Sequence, residues 1–254
     1  MTETVIKIGG SLLEGNNLAK LCRRLGDIGK RHRIIIIPGG GTFADEVRIL
    51  SEKYKIDQDT AHWMAILAMN QYGYFLSSMI PESVPVENID EAKKYLDKLN
   101  PVVLLPYHLI TTLDPLPHSW DVTSDSIAAW ITGYLGAEKL ILVKSIDLLK
   151  ERSQDRDYRT PVDMERLKDT NIVDSMFYTI IKENKMRSED NSLLSFPPRR
   201  ESKNQAITWI PACAGMTNKE KKPNPGQPHE TGLWVVNGNY PEQLTGLFEY
   251  FKMV

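Results

Sequence analysis

The sequence predicts an α/β protein built on a parallel or mostly parallel sheet, and three observations predict it. Runs at Thr4–Ile8, Arg33–Ile37, Val102–Pro106, Lys139–Val143 and Leu233–Val236 are continuous β-branched or leucine stretches with little alternation, the pattern of strands covered on both faces. Helical stretches lie between them, so strand and helix alternate. Finally, "VIKIGGSLL" (Val5 to Leu13) and "IIIIPGGGTFADEVR" (Ile34 to Arg48) repeat one device: an apolar run stops at glycines and then turns amphipathic.

The elements follow in order. The first strand carries a lone lysine, Lys7, and leads through Gly9-Gly10-Ser11 to a helix over Asn17–Arg31. The second ends at Pro38, which stiffens the entry to Gly39-Gly40-Gly41 and a helix over Thr42–Tyr54. A long helix over Asp57–Ser78 places His62, Trp63, Met64, Met69 and Tyr72 at spacings that fit a buried stripe, in the core or at a subunit contact. Helices over Asp90–Leu99, Ser126–Leu135, Val173–Met186 and Pro241–Phe251 complete the alternation. The stretch 187–230 breaks it, being rich in Pro, Ser, Asn and charge without useful periodicity. A connection between helix and strand normally needs about two to six residues, so this stretch reads as a surface insertion, with a functional lid as the less favoured reading. Its "FPPRRESKN…TWIPACAGMT" resembles the translated product of interspersed palindromic repeats of bacterial genomes, which implies a bacterial source. Lengthening a loop is thermodynamically cheap.

Composition bounds the function. The chain has 254 residues, 41% hydrophobic and 25% charged, with net charge −2, which makes no electrostatic case for nucleic acid or an anionic membrane surface. Any anion must be held by local geometry. Two cysteines, Cys22 and Cys213, form neither a disulfide framework nor a zinc pattern. No basic apolar leader and no run of membrane-spanning length is present. A cytoplasmic protein is expected.

Sheets of this class bind ligands beyond the carboxyl ends of their strands, where both glycine clusters, "TSDS" and "VNGNYP" fall. A strand ending in glycines and followed by a helix leaves main-chain N–H groups free to converge on an anion, aided by the helix dipole. Two such turns at neighbouring strand ends favour a polyanionic site. Neither a G-x-x-x-x-G-K-[ST] loop nor a G-x-G-x-x-G fingerprint is present. Lys7, between Ile6 and Ile8, either snorkels from an edge strand or sends its ammonium to a transferring phosphoryl group. Asp125, beside Ser124 and Ser126, reads locally as the first turn of a capped helix. Facing the glycine turns, it could hold Lys7. Trp120 reads as core or as a stacking surface for a flat ring, and Arg48 as a solvated helix face or a phosphate contact.

Assembled, "KIGGS", "IPGGGTFADEVR", "TSDSIAAW", "LILVKSIDLL" and "VVNGNYPEQL" resemble the amino acid kinase superfamily, in its order and over nearly the whole chain outside the insertion. Through "HSWDVTSDS" and "VVNGNYPEQL" the chain resembles its archaeal-type [5-(aminomethyl)furan-3-yl]methyl phosphate kinases of methanofuran biosynthesis. The resemblance implies a three-layer α/β/α sandwich, with the acceptor in the half 1–117 and ATP in the half 118–254. It implies that Lys7 stabilises the transferred phosphoryl group and that Asp125 orients it. Gly9, Gly10, Ser11, Gly39, Gly40, Gly41 and His118 would bind the acceptor. Ser126, Lys144, Asp147, Asn237 and Gly238 would border the nucleotide. ATP with Mg²⁺, a small phosphomonoester acceptor and a homo-oligomer are the implied partners. "VKSIDLL" departs from the family's pattern, with Leu148 in place of a glycine. The family's second lysine is also missing from the helix near Ser175, leaving Lys144 or Lys182 as the substitute. Uridylate or isopentenyl-phosphate type kinases, or a non-catalytic nucleotide- or oxyanion-binding module, would fit the same turns.

Overall fold

The structure is a computed structural model and describes residues 3–145, 158–163, 167, 172–189 and 232–253, the last six residues of 172–189 by backbone alone. Among these, one sheet of six strands runs β3-β4-β2-β1-β5-β6. The strands are β1 (Thr4–Ile8), β2 (Ile34–Pro38), β3 (Val84–Val86), β4 (Val102–Leu104), β5 (Lys139–Lys144) and β6 (Gly232–Asn237). Every pairing is parallel.

Between them run α1 (Leu18–Gly29), α2 (Gly41–Tyr54), α3 (Gln58–Met79), α4 (Ile89–Leu96), α5 (Tyr107–Leu113), α6 (Ser124–Leu135), α7 (Ser175–Glu189) and α8 (Pro241–Tyr250), with a 3-10 turn at Gly10–Glu14. The expected elements are all present, with ends shifted by a few residues. Strand β3 and helix α5 are additions. Helix α7 continues past Met186 into the stretch assigned to the insertion, whose remainder lies outside the described residues.

Period-two alternation divides the core into the two faces of the sheet. Val5, Ile35, Ile37, Leu140 and Leu142 pack on one side with α6 and α7, and Ile6, Ile8, Ile36, Ile141 and Val143 on the other with α1 and α8. Helices on both faces make three layers. Lys7 follows Val5 by two residues and so points to the α6 face. Strand β1 lies between β2 and β5, paired to both, so it is not an edge strand and a side chain there has no route to solvent along the sheet. From β1 the chain goes one way to β2 and returns later on the other side as β5. That reversal is the switch point at which open α/β sheets bind ligands.

Candidate active site

The two glycine turns form one surface. A Cβ on Gly10 would lie 2.3 Å from the Gly41 nitrogen, and one on Gly39 would lie 2.6 Å from the Gly10 nitrogen. Only glycine permits this backbone-to-backbone approach, and Gly41 also holds φ +57°. The amides are not equivalent. Gly9 donates to the Val143 carbonyl and Gly39 to the Ile8 carbonyl, each at 2.8 Å, so these two continue the sheet rather than face a ligand. Gly10, Ser11, Gly40, Gly41 and Thr42 instead line a cavity of about 330 Å³. Its opposite wall comes from α3 and the segment leading into α6, including His62, Met69, Trp120 and Thr123.

Beside the turns lies a buried ionic cluster. The Lys7 ammonium is 2.8 Å from Asp125 Oδ1, both side chains 5% exposed. Lys144 donates to Asp125 Oδ2 and to the Ile172 carbonyl. Burial raises the Asp125 pKa, but Lys7 and then Lys144 outweigh it and hold the carboxyl below its usual range. Burial, then the like charge of Lys7, push Lys144 below the ordinary lysine range, with Asp125 opposing. Two ammoniums thus meet on one carboxylate, with the Asp174 charge also acting on Lys144, at the sheet's carboxyl end and within the helix-start field of α6.

Helix α6 is fixed by polar pins. Thr123 caps it, its hydroxyl accepting from Asp125 N–H at 3.2 Å. Asp174 accepts from the Thr123 and Ser126 hydroxyls and from Phe177 N–H at 2.9 Å, capping α7. One carboxylate thereby ties the starts of both helices together. On the far side the Ser11 and Ser145 hydroxyls meet at 2.8 Å. Gly238 N–H donates to the Lys144 carbonyl at 2.7 Å, Asn237 Oδ1 accepts from Asn239 N–H at 3.0 Å, and Asn239 Nδ2 donates to the Ser145 carbonyl at 3.0 Å.

The expected residues therefore divide. Lys7, Asp125 and Lys144 meet, and Gly10, Ser11, Gly40 and Gly41 share the cavity wall beside them. Lys144 stands on Asp125 rather than apart on a nucleotide side, while Lys182 is exposed on α7. Ser126 is fully buried and its hydroxyl is taken by Asp174. Asn237 and Gly238 shape the loop after β6. Asp147 lies outside the described residues. His118 is not a wall of the cavity. Its Nδ1 is 2.9 Å from Asp59 and its Nε2 2.7 Å from Asp114, and it stacks on His62 at 4.8 Å. Arg48 does line the cavity, held 3.3 Å from Asp45 and 5.0 Å above the Trp120 ring. Sequence reasoning passed over Asp174, Asp114 and Asp59. Of these only Asp174 carried a signal, a helix-cap aspartate three residues before Phe177.

Residues 2–163 match the Amino acid kinase family. The chain belongs to that family. The [5-(aminomethyl)furan-3-yl]methyl phosphate kinase of Methanocaldococcus jannaschii is 27% identical over 186 residues, spanning 72% of this chain and 85% of the relative. Among solved structures, the uridylate kinase of Archaeoglobus fulgidus aligns with a TM-score of 0.53 at 18% identity, covering 73% of this chain and 88% of that one. The UMP kinase of Ureaplasma parvum aligns with a TM-score of 0.53 at 17% identity, covering 72% and 87%. At such identities the structural likeness speaks for the fold alone. In this amino acid kinase fold, no described helix is long and apolar enough to cross a membrane.

Proposed function

We propose that this kinase transfers the γ-phosphoryl group of ATP to the phosphate of a small phosphomonoester, [5-(aminomethyl)furan-3-yl]methyl phosphate being the preferred acceptor, to give a diphosphate. The observation that carries the reading is the buried Lys7–Asp125–Lys144 cluster beside a glycine-walled cavity. Two buried ammoniums meeting on one carboxylate suit charge that arrives with a phosphorylated ligand. The volume is at the small end of the roughly 300–1,000 Å³ typical of ligand pockets, which favours a single small ring over a nucleoside or a long isoprenoid chain. The name of the Methanocaldococcus jannaschii relative supports the same acceptor.

In this reading the acceptor phosphate rests on the free amides of Gly10, Gly40 and Gly41 and the first turn of α2. One of its oxygens forms the new bond to the γ-phosphorus as the bond to the β,γ-bridging oxygen breaks, and ADP leaves. A phosphate oxygen is already nucleophilic at neutral pH, so no general base is required. Catalysis is alignment plus charge neutralisation. Lys7 lies where it can follow the transferring group, and Asp125 keeps both ammoniums in register. Lys144 then serves as the second cation. Among the described residues no group of three or more His, Cys, Asp or Glu side chains could hold a metal. Mg²⁺ would arrive on the phosphates of ATP, as part of the substrate.

The test is ADP release with ATP and a panel of monophosphates, comprising the aminomethylfuran ester, UMP and isopentenyl phosphate. The furan ester is expected to lead the panel, and Lys7→Ala to cut its turnover by on the order of a hundredfold or more with folding intact. Turnover of another monophosphate instead would move the acceptor, and near-normal activity of Lys7→Ala would refute the role of the cluster.

A further inference from the structure

The wall of the cavity carries charges that the glycine amides alone do not balance. Glu14 and Asp45 both line it close to the glycine turns, and both repel an anion. Among the described residues, Arg48 is the one lysine or arginine in that wall. It lies two turns beyond Gly41 on the cavity face of α2, roughly 10 Å along the helix axis. Side chains on a helix lean toward its start, and Arg48 does so, reaching back one turn to Asp45 at 3.3 Å. That is its one hydrogen bond among the described residues. Both partners are more than half exposed, at 55% and 61%, and an exposed pair of this kind holds weakly. The guanidinium also lies 5.0 Å over the Trp120 ring. Trp120 belongs to the opposite wall, so the stack spans the cavity from α2 to the segment before α6. Stacking supports the flat face of the group and leaves its N–H edge available.

Resting on the phosphate-acceptor reading above, we propose that Arg48 is an acceptor-binding residue: its guanidinium leaves Asp45 and donates two hydrogen bonds to the phosphate of the monoester. The exchange carries the group toward the amides of Gly40 and Gly41, one turn nearer the start of α2 than Asp45. A guanidinium matches two phosphate oxygens at once, where an ammonium supplies only a point charge. Trp120 is the positioning residue that keeps the arm over the cavity. Asp45 is a competitor, holding the same N–H edge that the phosphate takes.

The test measures the KM for the aminomethylfuran monophosphate, and its calorimetric titration without ATP, in variants at Arg48 and Asp45. Arg48→Ala is expected to weaken acceptor binding by about tenfold to a hundredfold, as for lost charge-assisted hydrogen bonds. The kcat at saturating acceptor should stay within about threefold, because binding is lost equally from ground and transition states. The KM for ATP and the melting temperature should not change. Arg48→Lys should recover only part of the affinity. Asp45→Asn separates ligand binding from a merely structural pair. A structural pair is broken by either change, so both would weaken the acceptor alike. Removing a competitor instead tightens acceptor binding by about twofold to fivefold, and the gain should vanish when Arg48→Ala is added. Unchanged affinity in Arg48→Ala, or equal weakening in Asp45→Asn, overturns the assignment, as does a wild type that does not bind the monophosphate. Binding that depends on Arg48 without phosphorylation of the monoester would leave Arg48 in place and overturn the phosphate-acceptor reading alone.

Discussion

The cluster of Lys7, Asp125 and Lys144 and the cluster of His62, His118, Asp114 and Asp59 lie at the same end of one sheet, yet they are balanced in opposite ways. In the first, two ammoniums share one carboxylate. In the second, two carboxylates share one imidazole, and a second imidazole is left neutral and unpartnered. Burying charge is costly unless it is paired, which is why Lys7 and Lys144 meet on Asp125, whereas Asp59 of the second cluster is half exposed. The first cluster faces the strand ends beside the glycine turns, where backbone amides also point. The second is carried by α3, α5 and the loop before α6. The fold thereby builds two polar clusters with two chemistries, one held by β-strand termini and one by helix side chains.

The most damaging change should be Asp125→Ala. It leaves two buried ammoniums facing each other, and removing the shared partner of a buried pair costs about 3–5 kcal/mol. Chemical denaturation should show that loss, and turnover should fall with it. A mild effect would mean that Lys7 and Lys144 relax to solvent and that the cluster is not a built device. Next comes Lys144→Ala, expected to lower kcat by roughly tenfold to a hundredfold while the KM for the acceptor changes little. An effect on the acceptor KM alone would move Lys144 to the other end of the site. Asp174→Ala removes two hydrogen bonds that join the start of α6 to α7 and one that caps α7. It should cost about 1–3 kcal/mol and lower activity indirectly, by loosening the helix that carries Asp125.

The smallest expected effect concerns pH. His62 has its pKa lowered from 6.5 to about 4 in the folded protein, so below the unfolded value the unfolded chain binds a proton that the folded one does not. The stability this group contributes is full above pH 6.5 and is lost as pH falls toward 4. Melting temperatures of His62→Leu should therefore decline less than those of wild type across that window. Parallel curves would mean that the imidazole is not held neutral.

Much of this molecule was legible in its sequence, for reasons that differ from place to place. Five of the six strands announced themselves because parallel strands covered on both faces need unbroken apolar runs. β3 did not, since it is a three-residue edge strand with Pro85 at its centre, a residue confined to edges. α5 escaped because it has only seven residues, two of them threonine, too short for a helical period to show. Lys7 was legible as a paired buried lysine because a charge in a central strand has to be explained. Asp125 reads locally as a cap, and only the tertiary fold brings it to Lys7. His62 was visible as a buried position. The stripe that revealed its burial carries no information about which atom lacks a partner, and His118 was assigned a direct contact that Asp59 and Asp114 instead occupy. Those carboxylates are ordinary polar residues in sequence, gathered by the packing of α3 against α5.

Phosphorus NMR of the reaction with ATP and the aminomethylfuran monophosphate tests the central claim most directly, because it sees the bond being made. The acceptor's single phosphate resonance is expected to give way to two mutually coupled resonances of a diphosphate monoester as ADP appears, and Lys7→Ala to abolish the conversion. ADP formed while the acceptor resonance stays a single uncoupled line would contradict it.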